Sequence, residues 1–199
     1  MRQLGLQTVY PRKRTTISNP AHQIYPYLLR GLAVETANQV WCTDITYLPV
    51  RKGHFYLVAI MDWYSRKVLS WKISNTLEVD FCLDALSEAL STYGKPNIFN
   101  SDQGSQFTSI DFTQCLKQVN VKISMDGRGR CHDNIFIERL WRSLKYELIY
   151  LLDFRDGKHL KFEVKKWFNL YNEQRFYQAL DYQTPDTVYW KSLKSLELA

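Results

Sequence analysis

"VWCTDITYLPVRKGHFYLVAIMDWYSRKVLSWKIS", residues 40–74, holds three β-branched and aromatic runs, "VWCTDITYLPV", "HFYLVAIMDW" and "RKVLSWKIS", with short polar breaks between them. Runs of this kind predict three consecutive strands paired as an antiparallel meander. The middle run is nearly continuous in apolar residues. The first carries an acid, Asp44, at its centre, where a central strand tolerates a carboxylate only if it has a function or a partner.

Beyond the meander the period changes. Val79, Cys82, Leu83, Leu86, Ala89, Leu90 and Tyr93 recur at helical spacing, with Asn75 and Glu78 placed as a capping box and Gly94-Lys95-Pro96 as the stop. A short strand (97–100), a helix (about 109–119) and a second short strand (121–125) follow. The loop "DGRGRCHDN" then leads into a helix from about Asn134 to Leu148, whose apolar stripe is Ile137, Leu140, Trp141, Leu144 and Leu148. Strand, helix, strand, helix after a meander predicts an α/β protein with a mixed five-stranded sheet flanked by helices. The tail adds a helix through Leu160, Val164, Trp167, Phe168 and Tyr171, then a start signal at Thr184-Pro185. It packs on the core or on a partner subunit.

The polar stretch "SDQGSQFTS" (101–109) sits just past the fourth predicted strand and puts Asp102 at its carboxyl end. In open α/β sheets ligands gather there. Glu138 lies off the stripe of the helix after the fifth strand, and Arg142 and Lys145 share its face at i+4 and i+7. Glu138 and Arg142 also fit an ordinary surface pair. Asp44, Asp102 and Glu138 can converge through neighbouring strands and an adjacent helix. Three carboxylates together repel one another unless a cation neutralises them, and magnesium, with its preference for hard oxygen ligands, suits such a cluster.

The 199 residues, 45% of them hydrophobic, can bury a sizeable core, and 26 Lys and Arg against 20 Asp and Glu leave a net charge of +6. A positive balance points weakly toward a polyanionic partner. Much of it comes from the first 38 residues, where Arg2, Arg12, Lys13, Arg14 and Arg30 face only Glu35. "PRKRTT" (11–16) reads either as an arm lying along phosphates or as a solvated linker. Cys42, Cys82, Cys115 and Cys131 form no C-x-x-C pair and have no matching histidine partners, so neither zinc nor a disulfide framework is expected. No apolar run reaches the roughly 18 residues of a membrane span, and the N-terminus shows no signal-peptide pattern, so a cytoplasmic protein with no membrane partner is expected.

Taken together, "VWCTDITYLPV", "GHFYLVAIMDWYSRKVLSW", "SDQGSQFTS", "ISMDGRGRCHDNIFIERLWRSLKYE" and the closing "YNEQRFYQALDYQTPDTVY" resemble the catalytic half of bacterial insertion-sequence transposases. These are retroviral-integrase-like DDE enzymes whose catalytic half comes from the element's second reading frame. Thirty-five residues separate Asp102 from Glu138, as in the family's D-D-35-E pattern. The resemblance runs from about Asn38 to Tyr189. It implies a ribonuclease-H-like fold, with Asp44, Asp102 and Glu138 as catalytic residues and as ligands of two magnesium ions, for which manganese can substitute. It further implies DNA cleavage and strand transfer, with element ends and target DNA as partners, a homo-oligomer that synapses two ends, and a first-frame companion protein as a candidate partner.

On the same basis Lys145 meets DNA at the reacting end; by their charge, Arg142, Arg128 and Arg130, with Arg12, Lys13 and Arg14 of the arm, are further candidate DNA contacts. Gln103 and Gln106 either support the site or touch DNA. Gly104 lets the backbone turn beside Asp102, the Gly127–Arg130 loop is a candidate clamp, and Asp133, paired with Asn134, is expected to cap the helix. The organisation implied is a basic arm over 1–37, a catalytic core over 38–150 and a helical extension over 151–199. Two departures stand out: Arg175-Phe176-Tyr177 replaces a common Arg-Pro-His, and "MRQLGLQTVYPRKR" looks like the end of an upstream helix-turn-helix region. A truncated, non-catalytic DNA-binding remnant and a purely hydrolytic ribonuclease-H-like nuclease are the rival expectations.

Overall fold

The computed structural model describes residues 23–51, 53–127 and 134–197. Its five strands are β1 (Val40–Val50), β2 (Gly53–Asp62), β3 (Val68–Ser74), β4 (Ile98–Ser101) and β5 (Lys122–Met125). They form one mixed sheet in the order β3-β2-β1-β4-β5. β1 pairs antiparallel with β2, from Trp41 opposite Asp62 to Val50 opposite Gly53, and parallel with β4 through Val40, Trp41 and Cys42.

Helices α1 (Asp80–Tyr93) and α2 (Ile110–Gln118) cover one face of this sheet. Helices α3 (Ile135–Leu144) and α4 (Gly157–Glu173) cover the other, and α5 (Pro185–Glu197) closes the chain. Coverage on both faces explains the unbroken apolar run of β2: Val58 and Ile60 join the α1/α2 core, while Leu57, Ala59 and Met61 join the α3/α4 core. The architecture expected from the sequence, a mixed five-stranded sheet flanked by helices, is the one found.

Two local expectations are corrected. The capping box at Asn75 and Glu78 does not form; Val79, itself in a helical conformation, precedes α1 and no side chain caps it. Glu78 instead takes a bond from Thr76 Oγ1 (3.4 Å), and the helix starts late enough for Phe81, Cys82, Ala85 and Leu86 to meet the sheet. The helix expected through Leu148 ends as an α-helix at Leu144 and continues as a π-helical turn, Lys145–Ile149. The wider turn buries the consecutive residues Leu148 and Ile149 and leaves Glu147 free to accept from Trp167 Nε1 (3.1 Å) and Arg175 Nη1 (2.5 Å). Arg175 thus fastens the closing segment to the end of α3.

The tail packs on the core, one of the two placements left open by the sequence. Thr184 caps α5, accepting from Thr187 N at 3.3 Å. Tyr189 is fully buried and donates its hydroxyl to Asn38 Oδ1 at 2.9 Å. Lys67, also buried, pairs with Asp186 beneath the rings of Tyr93, Tyr189 and Trp190. No helix among the described residues is long and apolar enough to cross a membrane.

Candidate active site

Unequal strand lengths create the site. β4 pairs with β1 only as far as Asn100 opposite Cys42 and ends at Ser101, so the β1 edge beyond is open. Asp44 lies two residues past Cys42 and Asp102 two past Asn100. Strand alternation turns the Asp44 carboxylate toward the face that α3 covers, and Asp102 follows directly on the end of β4. Residues far apart in sequence meet at the carboxyl end of β4.

Asp44 accepts from its neighbour's backbone, Ile45 N, at 2.8 Å through Oδ1 and from Trp141 Nε1 at 2.9 Å through Oδ2. Burial is the largest influence on its carboxyl, the charge of Asp102 the next, and together they push it up to about 6 despite these bonds; Glu138 adds a smaller push. Asp102 is open to solvent along one side, yet the surrounding protein raises its carboxyl too, against a lowering bond from Gly104 N at 2.9 Å. Among the described residues, no cationic side chain figures in the influences on either acid. Two such oxygen-rich, electrostatically coupled carboxylates fit a hard divalent cation, which typically takes one or two protein carboxylates and keeps waters or phosphate oxygens for the rest of its shell.

Glu138 stands in the first turn of α3, exposed and within electrostatic reach of Asp44. Among the described residues no three acidic, histidine or cysteine side chains are gathered closely enough to ligate one ion. The aspartates are thus brought together, with Glu138 further out. Glu138 and Arg142 do not form the surface ion pair, and Arg142 is exposed; Lys145 is partly exposed at the start of the π turn. Arg12, Lys13, Arg14, Arg128, Arg130 and Asp133 lie outside the described residues.

Both glutamines bond within the fold. Gln103 Nε2 donates to Asp126 O and Gln106 Nε2 to Leu77 O, each at 2.8 Å. Gly104 is tightly constrained: a Cβ there would lie 2.9 Å from Asp102 Oδ1. Gly104→Ala is expected to displace that carboxylate and lower metal-dependent activity roughly ten- to a hundredfold, with little change in melting temperature. Calorimetry alongside an activity assay checks both halves.

Sequence reading missed the contacts that fasten α3. Asn134 Nδ2 donates to Thr43 O at 3.1 Å, one residue before Asp44, and its buried Oδ1 has no partner among the described residues. Asn100 likewise has a buried Oδ1 with no partner among the described residues, while its Nδ2 donates to Asp126 Oδ1 at 2.8 Å. Only the helical stripe hinted that Trp141 faces β1, and nothing in the sequence showed where its indole N–H points. Cys42 is fully buried beside the acids, and burial pushes its thiol far up, away from the reactive thiolate form.

Two family models, each described as an integrase core domain, match residues 35–131 and 119–185. The chain is 33% identical over 180 residues to the transposase for insertion sequence element IS904 of Lactococcus lactis, covering 88% of this chain and 69% of that protein. It is 34% identical over 155 residues to transposase InsF for insertion sequence IS3A of Escherichia coli K12, covering 75% and 54%. Its fold is similar to the HTLV-2 integrase catalytic core domain in complex with magnesium (TM-score 0.64, 23% identity, 77% of this chain and 97% of that one). It is also similar to the catalytic core domain of BIV integrase (TM-score 0.64, 17% identity, 80% and 99%).

Proposed function

We infer function from one premise: the chain belongs to the insertion-sequence transposases that carry an integrase core domain. We propose that it catalyses metal-dependent cleavage of DNA strands and their transfer to a target during movement of an insertion sequence. The observation that carries this reading is the position of Asp44 and Asp102, each two residues past the paired Cys42 and Asn100 of neighbouring parallel strands, with the charge of Asp102 acting on Asp44. Asp44, Asp102 and Glu138 are the residues that would hold the cations. Two divalent ions bound there supply Lewis-acid activation of an attacking hydroxyl and stabilisation of the leaving oxygen.

The chain's own groups do the rest. Cations held by the carboxylates would offset the negative charge that otherwise repels phosphate. In cleavage, water oxygen bonds to phosphorus, the bond to the 3′ oxygen breaks, and that oxygen takes a proton to become a 3′-hydroxyl. In transfer, this hydroxyl bonds to a target phosphorus and displaces the target strand's 3′ oxygen, which is protonated in turn. No covalent enzyme intermediate is needed. Element ends and target DNA are the partners, a homo-oligomer holds two ends together, and a first-frame companion remains a candidate.

Lys145, partly exposed where α3 passes into the π turn, is proposed as a phosphate contact. Lys145→Ala is expected to weaken DNA binding across sequences and reduce the slope of log affinity against log salt by about one. An unchanged slope in fluorescence anisotropy titrations would remove Lys145 from the DNA path. The reaction itself is tested with a duplex ending in a 3′-hydroxyl and supercoiled plasmid. Joined product in magnesium or manganese, lost on chelation, is the expected result; joining that persists in chelator would overturn the reading.

A further inference from the structure

Trp141 follows Glu138 by three residues on the apolar stripe of α3 and is 6% exposed. Packing alone would be served by any large apolar ring. Its indole N–H, however, is directed at a carboxylate, Asp44 Oδ2, at 2.9 Å. Asn134, four residues before Glu138, donates to the backbone of the adjacent residue, Thr43 O, at 3.1 Å. Helix α3 is therefore pinned to β1 on both sides of Glu138, and both pins land at or beside Asp44.

We propose that Trp141 is a positioning residue: its indole N–H fixes the rotamer of Asp44 and, with Asn134, sets how far the helix carrying Glu138 stands from that carboxylate. This inference rests on the metal-dependent reading above. A carboxylate has about four acceptor positions. The bonds from Ile45 N and Trp141 Nε1 occupy two of them and leave the others for a divalent cation. A ligand held in this way does not have to lose rotational freedom when the cation binds. Hydrogen bonds to ligating carboxylates typically change metal affinity ten- to a hundredfold.

The test compares manganese binding by calorimetry in the wild-type protein and in Trp141→Phe, which keeps a ring on the stripe and deletes the N–H. A dissociation constant weakened about tenfold or more, with metal-free DNA affinity unchanged, is the expected result. Cation binding as tight in Trp141→Phe as in the wild type would overturn this inference alone. No cation binding by the wild type would overturn the metal-dependent reading, and this inference with it. A second measurement needs no Trp141 variant: the wild-type Trp141 indole N–H resonance, followed by NMR, is expected to shift when magnesium is added and to show no response in Asp44→Asn. An indole resonance unmoved by a cation that calorimetry shows to bind would also overturn the proposal.

Discussion

Asp44→Asn is expected to abolish metal-dependent DNA cleavage and joining while making the metal-free protein more stable at neutral pH. The carboxyl sits at about 6 in the fold against an ordinary 3.8. Between those values the unfolded chain has released a proton that the folded chain still holds. Stability therefore falls as pH rises from about 4 to about 6, and stays at its reduced level above that. The cost at neutral pH is about 2 to 3 kcal/mol. An amide removes that cost but cannot accept from both Ile45 N and Trp141 Nε1, which returns about 1 kcal/mol. The net gain of about 1 to 2 kcal/mol corresponds to a melting temperature roughly 2 to 8 °C higher. The gain is expected to vanish below about pH 4, where the wild-type carboxyl is protonated in both states. Calorimetric melts across pH check the sign, and a variant less stable than the wild type at neutral pH would contradict this electrostatic account of the site.

The second large effect falls on a different acid. Asp62, fully buried at the end of β2, accepts from Asn38 N at 2.8 Å, Ser65 N at 2.8 Å and Ser65 Oγ at 2.6 Å. It ties the start of β1 to the turn between β2 and β3. Burial raises its carboxyl, and the bonds from Ser65 and Asn38 act against that rise. Asp62→Ala leaves two backbone N–H groups unpaired in the interior and is expected to cost about 3 kcal/mol. Asp62→Asn, which keeps one acceptor oxygen in place, is expected to cost less than the alanine change. Urea unfolding of the two variants gives the order, and equal losses would show that the hydrogen bonds are not what Asp62 contributes.

Patterning carried most of the architecture. The runs between 40 and 74 became β1, β2 and β3, the stripe of α1 faces the sheet, and Gly94, with φ of 81°, ends that helix as its position indicated. What periodicity could not supply was set by contacts between distant segments. The π turn exists because Leu148 and Ile149 both find the core and because Glu147 meets Arg175 from the closing segment. Asn75 and Glu78 had capping chemistry, but the sheet fixes where α1 starts.

The site divides in the same way. Asp44 was conspicuous because an acid in a strand core is costly, and Asp102 because it follows a strand end. Their adjacency follows from the register of β1 with β4, which local sequence does not encode. Asp62 lies inside an equally apolar run, and its partners, the backbone of Asn38 and both the backbone and hydroxyl of Ser65, are set by the turns rather than by a sequence motif. Trp141 read as core, and it is buried. The direction of its indole N–H depends on how α3 rests on β1.

The most direct measurement compares the wild-type protein with Asp44→Asn, Asp102→Asn and Glu138→Gln in a magnesium- or manganese-dependent assay of plasmid nicking and joining, with DNA affinity measured in parallel. Loss of both reactions in all three variants, with DNA affinity largely kept, is the predicted result, because each change removes a metal ligand and no phosphate-facing cation. Wild-type turnover in any one of them would contradict the assignment of these three acids as the catalytic centre.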